Sequence, residues 1–174
     1  MIRNGGIIAY PTESVFGLGC DPENASAVLE LLTIKNRPLA MGLILIAAEL
    51  HQLQPYMAKV NKTILDRLRA SWPGPVTWLV PAHPRVPAWI RGEHNSVAMR
   101  ITAHPQAASL CNMIDSALVS TSANFHGHRA ARNMLQVRQT FDDSLDYILS
   151  GRVGGKKRPT EIRDALTDKI IRTA

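Results

Sequence analysis

Short apolar runs of strand length alternate with amphipathic stretches of helix length along the whole chain. That alternation restricts the fold more than any other feature of the sequence. Gly6-Ile7-Ile8-Ala9-Tyr10 reads as a buried strand stopped by Pro11. Asn24 is placed to cap a helix carrying Ala25, Val28, Leu29 and Leu32 on one face and ending near Lys35, before Pro38. Residues 43–47 give a second strand. Asn61 caps another helix, with Ile64, Leu65 and Leu68 as its stripe, and Trp72-Pro73-Gly74-Pro75 breaks it ahead of a strand at 76–80. The segment 96–101 alternates as a half-buried strand, which puts Ala98 and Arg100 on one face. Pro105 opens a helix through Ala108, Leu110 and Met113. A short inner strand at 117–119, a helix at 133–141 and a strand at 147–149 follow, and two short strands around 161–165 and 169–172 close the chain. No repeat, low-complexity segment or linker interrupts the series. The expected architecture is a single α/β domain over 1–174, a twisted mixed sheet with flanking helices. The many short late strands argue against a simple doubly wound sheet.

A chain of 174 residues with 45% apolar and 20% charged side chains has room for one real core. No apolar run reaches membrane-spanning length, and the first residues enter a strand without a secretory signal, so the expected location is the cytoplasm. Cys20 and Cys111 are far apart and belong to no motif, and they read as free buried thiols of a reducing compartment. Twenty Lys and Arg against fourteen Asp and Glu leave a net charge of +6. Such a surplus favours anionic partners, nucleotides or RNA, without choosing between them.

Several chemistries lack their motif. There is no Gly-x-x-x-x-Gly-Lys-Ser/Thr phosphate loop, no Gly-x-Ser-x-Gly elbow and no evident Ser-His-Asp set. Gly17-Leu18-Gly19 lacks the glycine that would complete a dinucleotide fingerprint and reads as a turn. His126-Gly127-His128 has no second cluster at ligand spacing and reads as loop. Four segments stay open at this level. Pro11-Thr12-Glu13-Ser14 stands where a strand ends, as a ligand contact or as a turn satisfying its own backbone. Lys35 and Arg37, one residue apart beyond a helix, suit either an anion or the helix dipole. Ser120-Thr121-Ser122-Ala123-Asn124 follows a buried strand with more polar groups than a cap can use. Arg100 is a long cation in an apolar pattern, and the basic loop 151–158 suits a lid, an RNA contact or a solvated turn. Together, cations and short polar side chains at the ends of α/β elements make a polyanion site.

As a set, these segments resemble one family. Pro11-Thr12-Glu13-Ser14-Val15-Phe16-Gly17-Leu18-Gly19-Cys20-Asp21 is similar to the opening motif of the YrdC-like fold. Lys35-x-Arg37-Pro38 and Ser122-x-Asn124 resemble that family's Lys-x-Arg and Ser-x-Asn signatures, and Trp72-Pro73-Gly74-Pro75-Val76-Thr77 matches in order. The ending Pro159-Thr160-Glu161-Ile162-Arg163-Asp164-Ala165-Leu166 resembles the short bacterial branch called TsaC, also YrdC or RimN.

The resemblance implies a concave basic face as active site and an L-threonylcarbamoyladenylate synthase. ATP, L-threonine and bicarbonate or carbon dioxide would yield threonylcarbamoyl-AMP and pyrophosphate, for transfer by partner proteins to the adenosine beside the anticodon of tRNA. It implies Lys35 and Arg37 on the phosphates, with hydrogen bonds from Ser122 and Asn124. Ser96, Thr160 and Arg172 would be further ATP contacts, and Thr12, Arg100 and Ser120 would hold threonine. Magnesium would ride on the ATP phosphates, held mainly by substrate oxygens rather than by protein ligands. Two positions depart from long-tailed members, which carry asparagine where Met41 stands and histidine where Ile46 stands. Relatives carry a helix before the first strand, for which Met1-Ile2-Arg3-Asn4-Gly5 leaves no room. Two other functions fit the same residues: an RNA-binding protein without catalysis, and a carbamoyl-transfer domain like that of hydrogenase maturation proteins. Only three Phe, three Tyr and three Trp argue against a stacking platform for single strands.

Overall fold

A computed structural model describes residues 1–125, 127–156 and 160–173. His126, together with Lys157, Arg158 and Pro159 of the basic loop and closing motif, lies outside the described residues. The described strands are β1 (Ile8–Pro11), β2 (Phe16–Gly19), β3 (Ile44–Ala47), β4 (Val76–Pro81), β5 (Ser96–Ile101), β6 (Leu118–Ser122), β7 (Tyr147–Ile148), β8 (Glu161–Asp164) and β9 (Ile170–Arg172). They form one mixed sheet in the order β7-β1-β2-β6-β3-β5-β4-β8-β9. The helices are α1 (Ala25–Ile34), α2 (Leu50–Leu53), α3 (Lys62–Ser71), α4 (Ala88–Arg91), α5 (Pro105–Ile114) and α6 (Met134–Phe141). Asn24 and Asn61 cap α1 and α3 through their side-chain oxygens, which accept from the Ala27 and Ile64 amides at 3.0 Å.

Period-two alternation divides the sheet into two faces with different fates. Phe16, Leu18, Leu45, Ala47, Trp78, Val80, Val97, Met99 and Val119 enter the larger core, where α1, α3 and α6 supply Val28, Leu31, Leu68 and Val137. On the other face, Ile8, Tyr10, Ile46 and Leu118 meet Ala107, Cys111 and Ile114 of α5 in a smaller cluster. The single helix α5 covers only part of that face. The uncovered part is where Ile44, Arg100, Ser120 and Ser122 project.

Four expectations need correction. Gly17-Leu18-Gly19 is no turn: it belongs to β2, which pairs antiparallel with β1 and β6. Residues 120–122 do not follow the strand at 117–119 but continue it as β6. Helix α1 buries Ala27, Val28, Leu31 and Leu32, whereas Leu29 faces out, because a leucine-rich turn permits two neighbouring stripes. Helix α5 buries the small Ala107 and Cys111 and leaves Met113 exposed, since small side chains let the helix lie close on the sheet. Both cysteines are free and buried, and burial pushes each thiol up to about 12.

Candidate active site

The uncovered part of the sheet opens into a cavity of about 360 Å³. Its walls are built from chain segments far apart in sequence: the β1–β2 turn, the segment after α1, β3, β5, β6 and the β8–β9 edge. Of the residues singled out in the sequence, Thr12, Arg37, Arg100, Ser120, Ser122, Asn124, Thr160 and Arg172 line this one cavity. Ser96 does not. It shares the Arg100 face of β5 but begins that strand, four residues away.

Lys35 does not line the cavity either; it lies behind the wall formed by Ser122 and Asn124. Its side chain is buried, and its Nζ donates to the backbone carbonyls of Ser122 and of Asn124, the latter at 2.7 Å. A lysine ammonium has three donors, so one remains beyond these two carbonyls. Burial first, and the Arg37 charge second, push the Lys35 amine down to about 8. Because that value lies below the ordinary lysine range, the folded protein binds fewer protons than the unfolded chain between about pH 8 and pH 10.5. The penalty for burying the cation is therefore present below pH 8 and relieved as pH rises through that window. Wild type is expected to gain stability relative to Lys35→Met between these pH values, measured by denaturant unfolding. Parallel pH dependence in the two proteins would remove the assignment.

Arg37 is half-buried and fixed by its own backbone neighbourhood. Nη2 and Nε donate to the Gly42 carbonyl at 2.9 and 3.3 Å, which holds the guanidinium at the cavity wall. Burial lowers its pKa from the ordinary arginine value. Ser122 Oγ donates to Asn124 Oδ1 at 2.5 Å, and Asn124 Nδ2 donates to the carbonyls of Phe125 and His128, both at 2.8 Å. Asn124 thus ties down the loop that brings His128 to the cavity.

At the other end, Thr12 Oγ1 donates to the Val15 carbonyl at 2.7 Å, so the polar turn does satisfy its own backbone while still facing the cavity. Thr160 Oγ1 lies 3.3 Å from Thr77 Oγ1, and its carbonyl accepts from Arg172 Nη2 at 2.9 Å. Arg100 is buried and lies 3.2 Å, through Nη2, from Glu13 Oε2. Ile46 is buried under α5 with Tyr10 and Leu118, and Met41 is exposed in the 3₁₀ turn Leu39–Met41, so neither supplies a polar contact.

Four residues at or beside the site escaped sequence reasoning: Ser14, Thr121 and His128 in the lining, and Glu13 beneath it. Ser14 and Thr121 belonged to segments already singled out as hydroxyl-rich. Glu13 lies in the singled-out segment Pro11-Thr12-Glu13-Ser14, but nothing local gives its role, because its partners Arg100 and Thr102 lie almost ninety residues on. Among the described residues, no group of three or more His, Cys, Asp or Glu is placed to hold a metal ion, and no helix is long and apolar enough to cross a membrane.

Comparisons with known proteins bear on this arrangement. The family model Sua5_yciO_yrdC, described as "Telomere recombination", matches residues 1–174. A curated relative from Nitrosococcus oceani, named threonylcarbamoyl-AMP synthase, is 52% identical over 99% of this chain and 93% of its own length. Another of that name, from Pseudomonas aeruginosa, is 51% identical over 100% of this chain and 94% of its own length. Among solved structures, Sua5 of P. abyssi complexed with L-threonine superposes with a TM-score of 0.88 at 29% identity. That match covers 94% of this chain and 48% of the other.

Proposed function

The chain belongs to the Sua5/YciO/YrdC family, and from that membership we propose that it is a threonylcarbamoyl-AMP synthase. It would convert L-threonine, bicarbonate or carbon dioxide and ATP to threonylcarbamoyl-AMP and pyrophosphate, for the threonylcarbamoyl modification of tRNA. One observation carries the reading. A single cavity is lined by Arg37, Ser122 and Asn124 together with Arg100, Thr12 and Ser120. An amino acid carboxylate and a nucleotide polyphosphate each need a cation with neutral hydrogen-bond partners, and the two must lie close enough to react.

The chemistry asks for alignment and charge neutralisation. The threonine amine adds to carbon dioxide and loses a proton, giving a carbamate. A carbamate oxygen then bonds to the α-phosphorus while the bond from that phosphorus to the β-phosphate bridging oxygen breaks, and pyrophosphate leaves. Negative charge develops on the phosphate oxygens and the leaving group, so fixed cations and hydrogen-bond donors lower the barrier without a protein nucleophile. In this reading Arg37, and Lys35 from behind the wall, supply the positive charge for the phosphates, and Ser122 and Asn124 shape the loop around them. Thr12, Ser120 and Arg100 hold threonine, Arg100 through the carboxylate. Thr160 and Arg172, which line the same cavity toward Arg100, would be further ATP contacts where the nucleotide runs on from the phosphates, and Ser96 would be reached only by a ligand extending along β5. Magnesium would enter with the ATP phosphates and would supply charge neutralisation there, with no protein ligand assigned to it.

The product is a reactive mixed anhydride, so a tRNA-modifying partner must take the threonylcarbamoyl group onward, and the cytoplasm is where that tRNA resides. An RNA-binding role without catalysis is not favoured, because near-full-length relatives at about half identity are named as synthases. The test is pyrophosphate release with threonine, bicarbonate and magnesium-ATP, each omitted in turn. Release is expected to need all three. Release that ignores threonine would overturn the proposal.

A further inference from the structure

We infer that Glu13 is a positioning residue for the amino acid end of the cavity, acting through Arg100. This rests on the reading of Arg100 as the group that holds the threonine carboxylate.

Arg100 is a cation almost wholly withdrawn from water, with 5% of its surface exposed. A buried guanidinium needs a counter-charge. Its register neighbour on β3 is the apolar Ile46, so the sheet itself supplies none. The counter-charge comes from the β1–β2 turn, where Glu13 is buried to a similar degree. Oε1 accepts from Thr102 Oγ1 at 2.7 Å and from the Ala103 amide at 3.1 Å, which fixes the plane of the carboxylate. Oε2 then lies 3.2 Å from Arg100 Nη2. Burial alone would raise the Glu13 carboxyl, but Arg100 and the Thr102 hydroxyl outweigh it and hold it below the ordinary carboxylate value.

Glu13 does not itself line the cavity, whereas Arg100 does. The pair is close but not aligned as a hydrogen bond, and both Glu13 Oε2 and Arg100 Nε are buried without a hydrogen-bond partner among the described residues. Nε is enclosed away from the cavity, so the guanidinium meets a ligand through the part of it that lines the wall. The glutamate neutralises and orients the arginine, and the open N–H directions are left for a ligand carboxylate. That division of labour suits the planar fork of arginine, whose orientation decides whether a carboxylate is met by one donor or two.

The glutamate is also held from behind. The Lys156 amide donates to the Glu13 carbonyl at 3.0 Å, and the Gly154 amide donates to the Thr12 carbonyl at 2.9 Å. A Cβ on Gly154 would come within 3.0 Å of the Glu13 carbonyl oxygen, so residues 152–156 form a strap that lies flush against the turn. His104 secures the same strap, its Nε2 lying 3.0 Å from the Arg152 carbonyl, and its own amide donates to Thr102 Oγ1 at 3.2 Å. Thr102 therefore links the strap anchor to the carboxylate that aims Arg100.

The test is Glu13→Gln, which keeps the shape and an acceptor for Thr102 and Ala103 but removes the charge. The KM for threonine is expected to rise at least tenfold while the KM for ATP changes less than twofold. The rise in melting temperature on adding L-threonine should disappear while that on adding magnesium-ATP persists. Thr102→Val, which removes the hydroxyl on Oε1 and with it the acceptor of the His104 amide, should move threonine in the same direction by a smaller factor, and it serves if the glutamine variant does not fold. Unchanged threonine dependence in both variants would overturn the inference, as would equal losses for threonine and ATP. Absence of threonine-dependent pyrophosphate release from the wild type would instead overturn the proposed function, and this inference with it.

Discussion

Arg37→Ala is expected to lower kcat/KM for ATP by about two orders of magnitude, or roughly 2.7 kcal/mol of transition-state stabilisation. The reason is geometric as much as electrostatic. Nε and Nη2 of Arg37 share the Gly42 carbonyl, which holds the guanidinium in one orientation at the cavity wall before any ligand arrives. Such a group reaches a phosphate without losing further side-chain freedom, so its removal is felt in full. Arg37→Lys should recover little, because an ammonium on a flexible stem lacks the planar fork that grips the Gly42 carbonyl from two atoms and so is not held in one orientation. Threonine-induced stabilisation should survive both changes, since Arg100 is held by Glu13 and not by the Gly42 carbonyl that fixes Arg37. Wild-type ATP kinetics in Arg37→Ala would sink the phosphate assignment.

Gly19→Ala is expected to have the larger effect on the fold itself, with a loss of about 3 kcal/mol or more, or failure to reach a native state. The cause is close approach rather than an unusual backbone angle. A Cβ at residue 19 would be driven into the Val119 carbonyl oxygen and would stand 3.0 Å from the Tyr10 ring. The backbone of β6 cannot yield, because the Val119 amide also donates to the Cys20 carbonyl at 3.1 Å. Relief would come only by prising β2 from β6, the strand that carries Ser120 and Ser122. Denaturant unfolding and the soluble yield of the variant are the measurements. A midpoint within the error of wild type would show that β2 and β6 have room to spare.

The same glycine explains what the sequence conceals. In one dimension Gly17-Leu18-Gly19 reads as a turn, because glycine punctuates local structure. In the sheet it is a strand whose missing side chains admit the neighbouring backbone, a requirement set by residue 119 and invisible a hundred residues earlier. Where information was local, it was legible. Asn24 and Asn61 cap their helices as their positions indicate, and the alternation through 96–101 puts Arg100 on the cavity face. Eight of the candidate residues do meet in one cavity, since polar groups stranded at strand ends have few other uses. Which face of α5 is buried was not legible, because hydrophobicity ranks Met113 above Ala107, whereas packing against a sheet rewards the smaller side chain. Glu13 was hidden for the same reason as Gly19: its meaning lies in Arg100 and Thr102, which only the fold brings beside it.

The strand order carries a consequence for how the protein is made. β6 pairs with β2 and β3, whose residues are synthesised about a hundred and about seventy-five positions earlier. The cavity draws on residues from Thr12 to Arg172, and the Arg172 side chain reaches the Thr160 carbonyl only once β9 has closed the far edge. Contacts of such long sequence separation require much of the chain to be in place before they form, and folds built on them assemble late and slowly. Chains cut before β9, and two halves separated between β5 and β6, therefore lack a complete cavity. Binding competence should emerge only once β9 is in place.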